Sequence, residues 1–197
     1  MTSLSVLLRI VPVLAVAALG VACSAIGGDS EFAAPARPQT PGLRLTDAGI
    51  GALGASTAYS AKSIEAVMPG YEVSSVTMAT ESSESVSALA LFKDGLQVLQ
   101  VLPAQGGRIA AVHGVSERIV GPNGERIGMS FREARMARSD CREGNGNWLG
   151  MAICHAHNAP SVSFVFSVPG YISTVGLPDD ATLATASLQR MIWTPAS

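Results

Sequence analysis

Two apolar runs, residues 86–92 and 96–102, are separated only by Lys93-Asp94-Gly95. Asp-Gly between such runs is the strongest short-range hairpin signal, because both positions of the turn that matches strand twist want positive φ. The centre of the chain is thereby committed to antiparallel β structure. Gln105-Gly106-Gly107 makes a second turn into residues 108–115, which predicts a three-stranded meander. Upstream, Ser60 followed by Ala61, Ile64, Val67 and Met68 gives one apolar helical face, and Pro69-Gly70 stops it. Tyr71-Glu72-Val73 then opens a strand.

The second half repeats this order. Ser130 and Glu133 form a capping box, with Met129 and Ala134 placed as the flanking staple, so a second helix is predicted from Ser130. Residues 151–158, 161–168 and 188–194 follow as strands, the first two joined at Asn158-Ala159-Pro160. Val162, Phe164, Phe166 and Val168 alternate with Ser161, Ser163 and Ser167, which predicts one buried face and one mostly wet face. The expected fold is mainly β, with antiparallel sheets packed as a sandwich and two short helices. The alternative is an α+β fold built from a duplicated helix-plus-meander unit. Ser56-Thr57-Ala58-Tyr59, echoed by Gly128-Met129-Ser130-Phe131, points that way.

Residues 1–22 read as a signal peptide. Arg9 is the only charged side chain, and the apolar run 10–22 is shorter than the roughly 20 residues a bilayer crossing needs. Leu19-Gly20-Val21-Ala22-Cys23 resembles the lipobox of bacterial lipoproteins, with Gly20 where that motif usually has Leu. Ordinary secretion is the alternative, since Gly-Val-Ala also suits a general signal peptidase. Three cysteines are an odd count for an exported chain. Cys141 and Cys154 can pair around Gly144-Asn145-Gly146-Asn147, a bridge worth about 3 kcal/mol in the chain-entropy model; the alternative is two buried free thiols. Pairing leaves Cys23 over, and lipidation would remove its thiol. Residues 23–42 carry Gly27, Gly28, Pro35, Pro38 and Pro41 with no hydrophobic period and read as a lipidated tether. If flexible, it reaches on the order of 25 Å. Residues 43–197 then form a single globular β-rich domain.

The net charge of −2 predicts no nucleic-acid footprint and no strong pull to an anionic surface. His155 and His157 lie two apart on a strand and are the weak candidates for a metal, although Zn²⁺ wants three or four ligands. His113 is the only further histidine. The plainer reading is two solvent-facing imidazoles. Asp179-Asp180 reads as a cap for a short helical segment at Ala181-Thr182-Leu183 rather than a catalytic pair. Arg126, Arg132, Arg135 and Arg138 form a basic stripe, but Glu125, Glu133 and Asp140 are interleaved, which predicts a salt-bridged face. No nucleophile elbow and no phosphate-binding glycine loop is present in the sequence. No catalytic residue and no cofactor is expected.

Thr46-Asp47-Ala48-Gly49-Ile50-Gly51, Ala55-Ser56-Thr57, Pro69-Gly70-Tyr71, Ile127-Gly128 with Phe131, and the Cys141…Cys154 pair stand in an order that resembles the RpoE-regulated lipoprotein family of Gram-negative envelopes. Ser163-Phe164-Val165-Phe166-Ser167 and the ending Pro178-Asp179-Asp180-Ala181-Thr182-Leu183…Met191-Ile192-Trp193 complete the resemblance, which runs from about residue 45 to 194. It implies an envelope lipoprotein of mainly β fold and unknown function, induced under envelope stress, with no catalytic residues to carry over. The sequence reading is therefore a non-enzymatic protein held by a lipid on Cys23 at the periplasmic face of the outer membrane, with an envelope protein partner left open and unidentified. Ser24, which is not Asp, favours outer-membrane delivery. A periplasmic inhibitor or ligand-binding module is the rival, and should show an exposed aromatic or apolar patch near Asn145-Gly146-Asn147-Trp148. A metal-dependent enzyme at His155 and His157 is the third reading.

Overall fold

The computed structural model describes residues 42–168 and 176–196. Calls on the signal peptide, Cys23 and the tether lie outside the described residues. The chain begins with three short strands, β1 (Leu43–Thr46), β2 (Gly49–Ile50) and β3 (Leu53–Gly54), followed by helix α1 (Ala61–Val67). A meander of β4 (Glu72–Ala79), β5 (Ser85–Lys93), β6 (Leu96–Pro103) and β7 (Ile109–Gly114) comes next, then the short β8 (Ile119–Val120). The second meander is β9 (Cys141–Glu143), β10 (Ala152–Ala156), β11 (Ala159–Ser167) and, after helix α2 (Asp180–Thr185), β12 (Ser187–Trp193). Among the described residues the fold is mainly β, with two sheets and two helices.

The sheets are unequal. The larger has eight strands in the order β4-β5-β6-β7-β12-β11-β10-β9, all antiparallel, so the meanders join through their last strands. The smaller is β3-β2-β1-β8, with β1 and β8 parallel. Side chains from both sheets meet in one core, where Leu45 and Ile50 of the small sheet join Leu99, Phe164 and Trp193 of the large one. Asp47, in the turn after β1, fastens the layers: its carbonyl accepts from Trp193 Nε1 at 2.9 Å and its Oδ1 from the Ser161 amide at 2.7 Å.

Local chemistry explains several of these elements. Asp94 and Gly95 take φ of 53° and 74°, the pair of positive values that a tight hairpin requires. Ser60 caps α1 by accepting from the Ser63 amide at 3.1 Å. Asp179 caps α2 through the Thr182 amide at 2.8 Å, as expected for that segment. The first meander has four strands rather than three, because the strand opened at Tyr71 pairs with β5 along its whole length.

Ser130 is where the structure departs most from expectation. The capping box forms: Glu133 Oε2 accepts from the Ser130 amide at 2.8 Å, and Ser130 Oγ accepts from the Glu133 amide at 3.2 Å. Yet the helix lasts one turn. Arg135 takes φ 56°, its amide reaches the Arg132 carbonyl, and the Met136 amide reaches the Phe131 carbonyl. These are the two bonds of a Schellman stop, here built on arginine where glycine would ordinarily signal it. Phe131 and Met136, both buried, supply the hydrophobic contact that accompanies the stop.

Phe131 and Tyr59 close the two echoing tetrapeptides, and they make matching bonds. The Tyr59 amide donates to Gly107, in the loop before β7, and the Phe131 amide donates to Ala186, just before β12. Each meander is thus held across its last loop by the residue leading into its first helical turn. At one corner the large sheet also closes on itself. Glu81, in the β4–β5 loop, receives Arg142 Nη2 at 2.8 Å and the Asn145 amide at 3.2 Å. Asn147 Nδ2 donates to the Thr80 carbonyl at 3.1 Å. The loop leaving one edge strand therefore grips the loop leaving the other.

The turn between β10 and β11 is His157-Asn158, with Asn158 at φ 58°, so Ala159 and Pro160 already belong to β11. The outer face of β11 is not mostly wet. Val165 is 2 % exposed and packs with Trp148, Ile153 and Ile192 in a second, smaller apolar cluster.

Candidate functional site

A cleft of about 410 Å³ opens beside the Ser130 turn, lined by Asn123, Glu125, Met129, Glu133, Arg135 and His157 among others. Its floor is a tight turn in which the Gly121 amide donates to the Glu125 carbonyl at 2.8 Å. Glu125 is buried. Its Oε2 accepts from the Asn123 amide at 2.9 Å and its Oε1 from Asn123 Nδ2 at 3.0 Å. Gly121 is required here, because a Cβ would stand 2.4 Å from Glu125 Oε2. Asn123 Nδ2 also reaches the His157 carbonyl at 3.2 Å, tying the floor to the β10–β11 turn.

The ionisable groups around the cleft are mostly committed. Glu133 caps Ser130, and the hydrogen bonds from the Ser130 amide and hydroxyl hold its carboxyl below the usual range. His157 Nε2 lies 3.1 Å from Asp140 Oδ2, which also accepts from the Ala137 amide. Arg135 has no carboxylate within 4 Å among the described residues. The cleft thus offers a guanidinium beside oxygen acceptors, an arrangement suited to holding a small polar molecule.

Cys141 and Cys154, directly opposed on β9 and β10, are joined by a disulfide with Cα atoms 3.9 Å apart. His155 is an exposed residue of β10, and His157 lies just past the strand, beyond a register shift between His155 and Ala156. The shift disturbs the alternation that would align the two rings. Among the described residues no group of three His, Cys, Asp or Glu is placed to hold a metal ion. The interleaved acids do not neutralise the arginine stripe, because Glu125, Glu133 and Asp140 are spent on nearby amides or side chains. Arg138 instead meets the Pro178 carbonyl and, at 3.5 Å, Asp180. Trp148 is 7 % exposed, folded onto the outer face of the sheet, while Leu149 beside it is 51 % exposed. The loop therefore presents an exposed apolar leucine, while its aromatic residue is folded away.

Glu81, Glu125 and Arg190 carry much of the polar architecture and have no sequence motif. Arg190, on the outer face of β12, donates through Nη1 to Gln100 Oε1 at 2.6 Å and to His113 Nδ1 at 2.9 Å. Its guanidinium carbon lies 5.8 Å from the centroid of the Trp148 ring. Burial and the adjacent guanidinium push the His113 pKa down to about 3, so its ring is neutral and its Nδ1 is free to accept.

The profile of a family described as a protein of unknown function (DUF1131) matches residues 32–195. The chain belongs to that family. No curated protein matches it. Among solved structures, the crystal structure of the uncharacterized protein yfeY from Escherichia coli aligns with a TM-score of 0.63 at 21% identity, covering 77% of this chain and 99% of that one. At that identity the likeness shows a shared fold.

Proposed function

We propose that the chain is a lipid-anchored envelope protein, held through Cys23 on the periplasmic face of the outer membrane, with a non-enzymatic binding or structural role under envelope stress. One observation carries the reading. Cys141 and Cys154 are joined to each other, which leaves Cys23 as the one cysteine of three without a mate in the chain. It follows a short apolar run and precedes a Pro- and Gly-bearing segment, the arrangement a lipid anchor needs. Several acyl chains at about 0.8 kcal/mol per buried CH₂ would make the attachment effectively permanent. Among the described residues no helix is long and apolar enough to span a membrane.

Cys23→Ser should abolish incorporation of labelled palmitate and release the domain from the membrane fraction. Labelling that persists in the variant would sink the assignment. Density-gradient separation of the membranes tests the sorting expected from Ser24, and recovery in the inner fraction counts against it. A ligand-binding module is the second reading, favoured by the cleft at Glu125 and Arg135.

A further inference from the structure

Among the described residues Arg190 is a cation with no carboxylate within 4 Å. The middle of the large sheet surrounds its guanidinium with Gln100, His113 and Trp148, which are 9 %, 4 % and 7 % exposed. The two acceptors it meets are both neutral. Nε and Nη2 donate to no described residue, yet neither is sealed from solvent. The carboxylates that pair with cations do so elsewhere: Asp94 with Arg118, Asp180 with Arg138, Glu81 with Arg142 and Asp140 with His157. Residues 169–175, the internal stretch outside the described residues, contain no Asp or Glu in sequence. Partial burial of a guanidinium against neutral acceptors costs solvation that a bound anion would restore.

We propose that Arg190 is the recognition point of a carboxylate-binding site on the outer face of the large sheet. The chemistry selects the ligand. Two unspent N–H groups on one edge of a planar guanidinium match the two oxygens of a carboxylate. One cation with two neutral neighbours suits a single negative charge better than a phosphate dianion. Trp148, beside the guanidinium, packs with Ile192 in the apolar cluster, and so apolar a flank would strengthen the contact. His113 fixes the orientation: with Arg190 as the donor, its proton must sit on Nε2, and the imidazole accepts without competing for the anion. The carboxylate comes from a small organic acid or from an Asp or Glu side chain of a partner protein. The site is independent of the Cys23 anchor and of the cleft at Glu125.

The Arg190 side-chain N–H resonance of the intact domain, assigned by its loss in Arg190→Lys, reads the site directly. Titration with glutarate and with a capped Glu-containing peptide should move it saturably, and whichever ligand binds about tenfold tighter identifies the source. Gln100→Glu sets an internal carboxylate against the guanidinium. It should raise the melting temperature and abolish the response to both ligands, a result that does not depend on Arg190 variants folding. Absence of a saturable shift with either carboxylate, tighter binding of inorganic phosphate, or an undiminished response in Gln100→Glu each overturns the proposal.

Discussion

The two meanders of the large sheet are alike in strand number and differ in what holds them. The first, β4 to β7, is built from local signals: a capped helix leads in, a two-residue turn with both φ positive joins β5 to β6, and pairing runs unbroken along β4 and β5. The second, β9 to β12, is held by contacts made at a distance. A disulfide fixes its first strand, Glu81 reaches 61 residues along the chain to Arg142, and the Ser130 turn is pinned by Phe131 against Phe166. Local order lets a segment choose its shape early. Distant fastenings are needed where loops are long and a helix is stopped after one turn.

That contrast can be broken, and the largest expected effect is at Phe166. Its ring makes edge contacts with Phe131 at 5.2 Å and Phe164 at 6.5 Å between centroids and is fully buried. Phe166→Ala should cost about 3–5 kcal/mol in denaturant unfolding. It should also raise hydrogen exchange at the Met136 amide, since the Schellman stop rests on the Phe131 contact. If exchange rises equally at the Asp94-Gly95 turn, the two meanders do not differ in their fastening.

Next comes the disulfide. Replacing both Cys141 and Cys154 with alanine should cost about 3 kcal/mol, a fall in melting temperature on the order of 6–12 °C for a domain of this size, with location unchanged. Two alkylatable thiols in the unreduced native protein would show that the bridge is absent.

The smallest effect sharpens the comparison by pH. The hydrogen bond from Arg142 holds the Glu81 carboxyl below the usual range, ahead of the opposing effect of partial burial. A carboxyl depressed in the folded state contributes stability that is present above its unfolded pKa and lost as pH falls through the folded value. Glu81→Ala should therefore lower stability by about 1 kcal/mol at pH 7. The difference from wild type should shrink below the ordinary carboxyl pKa of 4.5 and vanish at strongly acid pH. A constant difference from pH 7 to pH 2 would remove Glu81 as the titrating fastening.

The same contrast explains what the sequence discloses. The Asp94-Gly95 hairpin, the Ser60 cap, the Asp179 cap and the inward phenylalanines of β11 are legible because each depends on residues within a few positions of one another. The helix expected at Ser130 is a half-truth of the same origin. Its start is written in Ser130 and Glu133, but its stop relies on a left-handed arginine whose cost is offset by two buried side chains. β1 to β3 and β9 are too short to show a period. At the candidate sites, His157 and the disulfide were visible as residue types, whereas Arg190 gains its meaning only when β6, β7 and β12 lie side by side. Trp148 looked like a surface feature because nothing in the local sequence shows that it folds onto a sheet.

β12 is the last of the described strands and stands in the middle of the eight, between β7 and β11. A polypeptide emerging from its amino end can complete the first meander early. Its second meander can join the first only through β12. Closure of the core therefore waits on β12, and every contact across the β7–β12 seam spans a long stretch of chain, the pattern of slow-folding topologies.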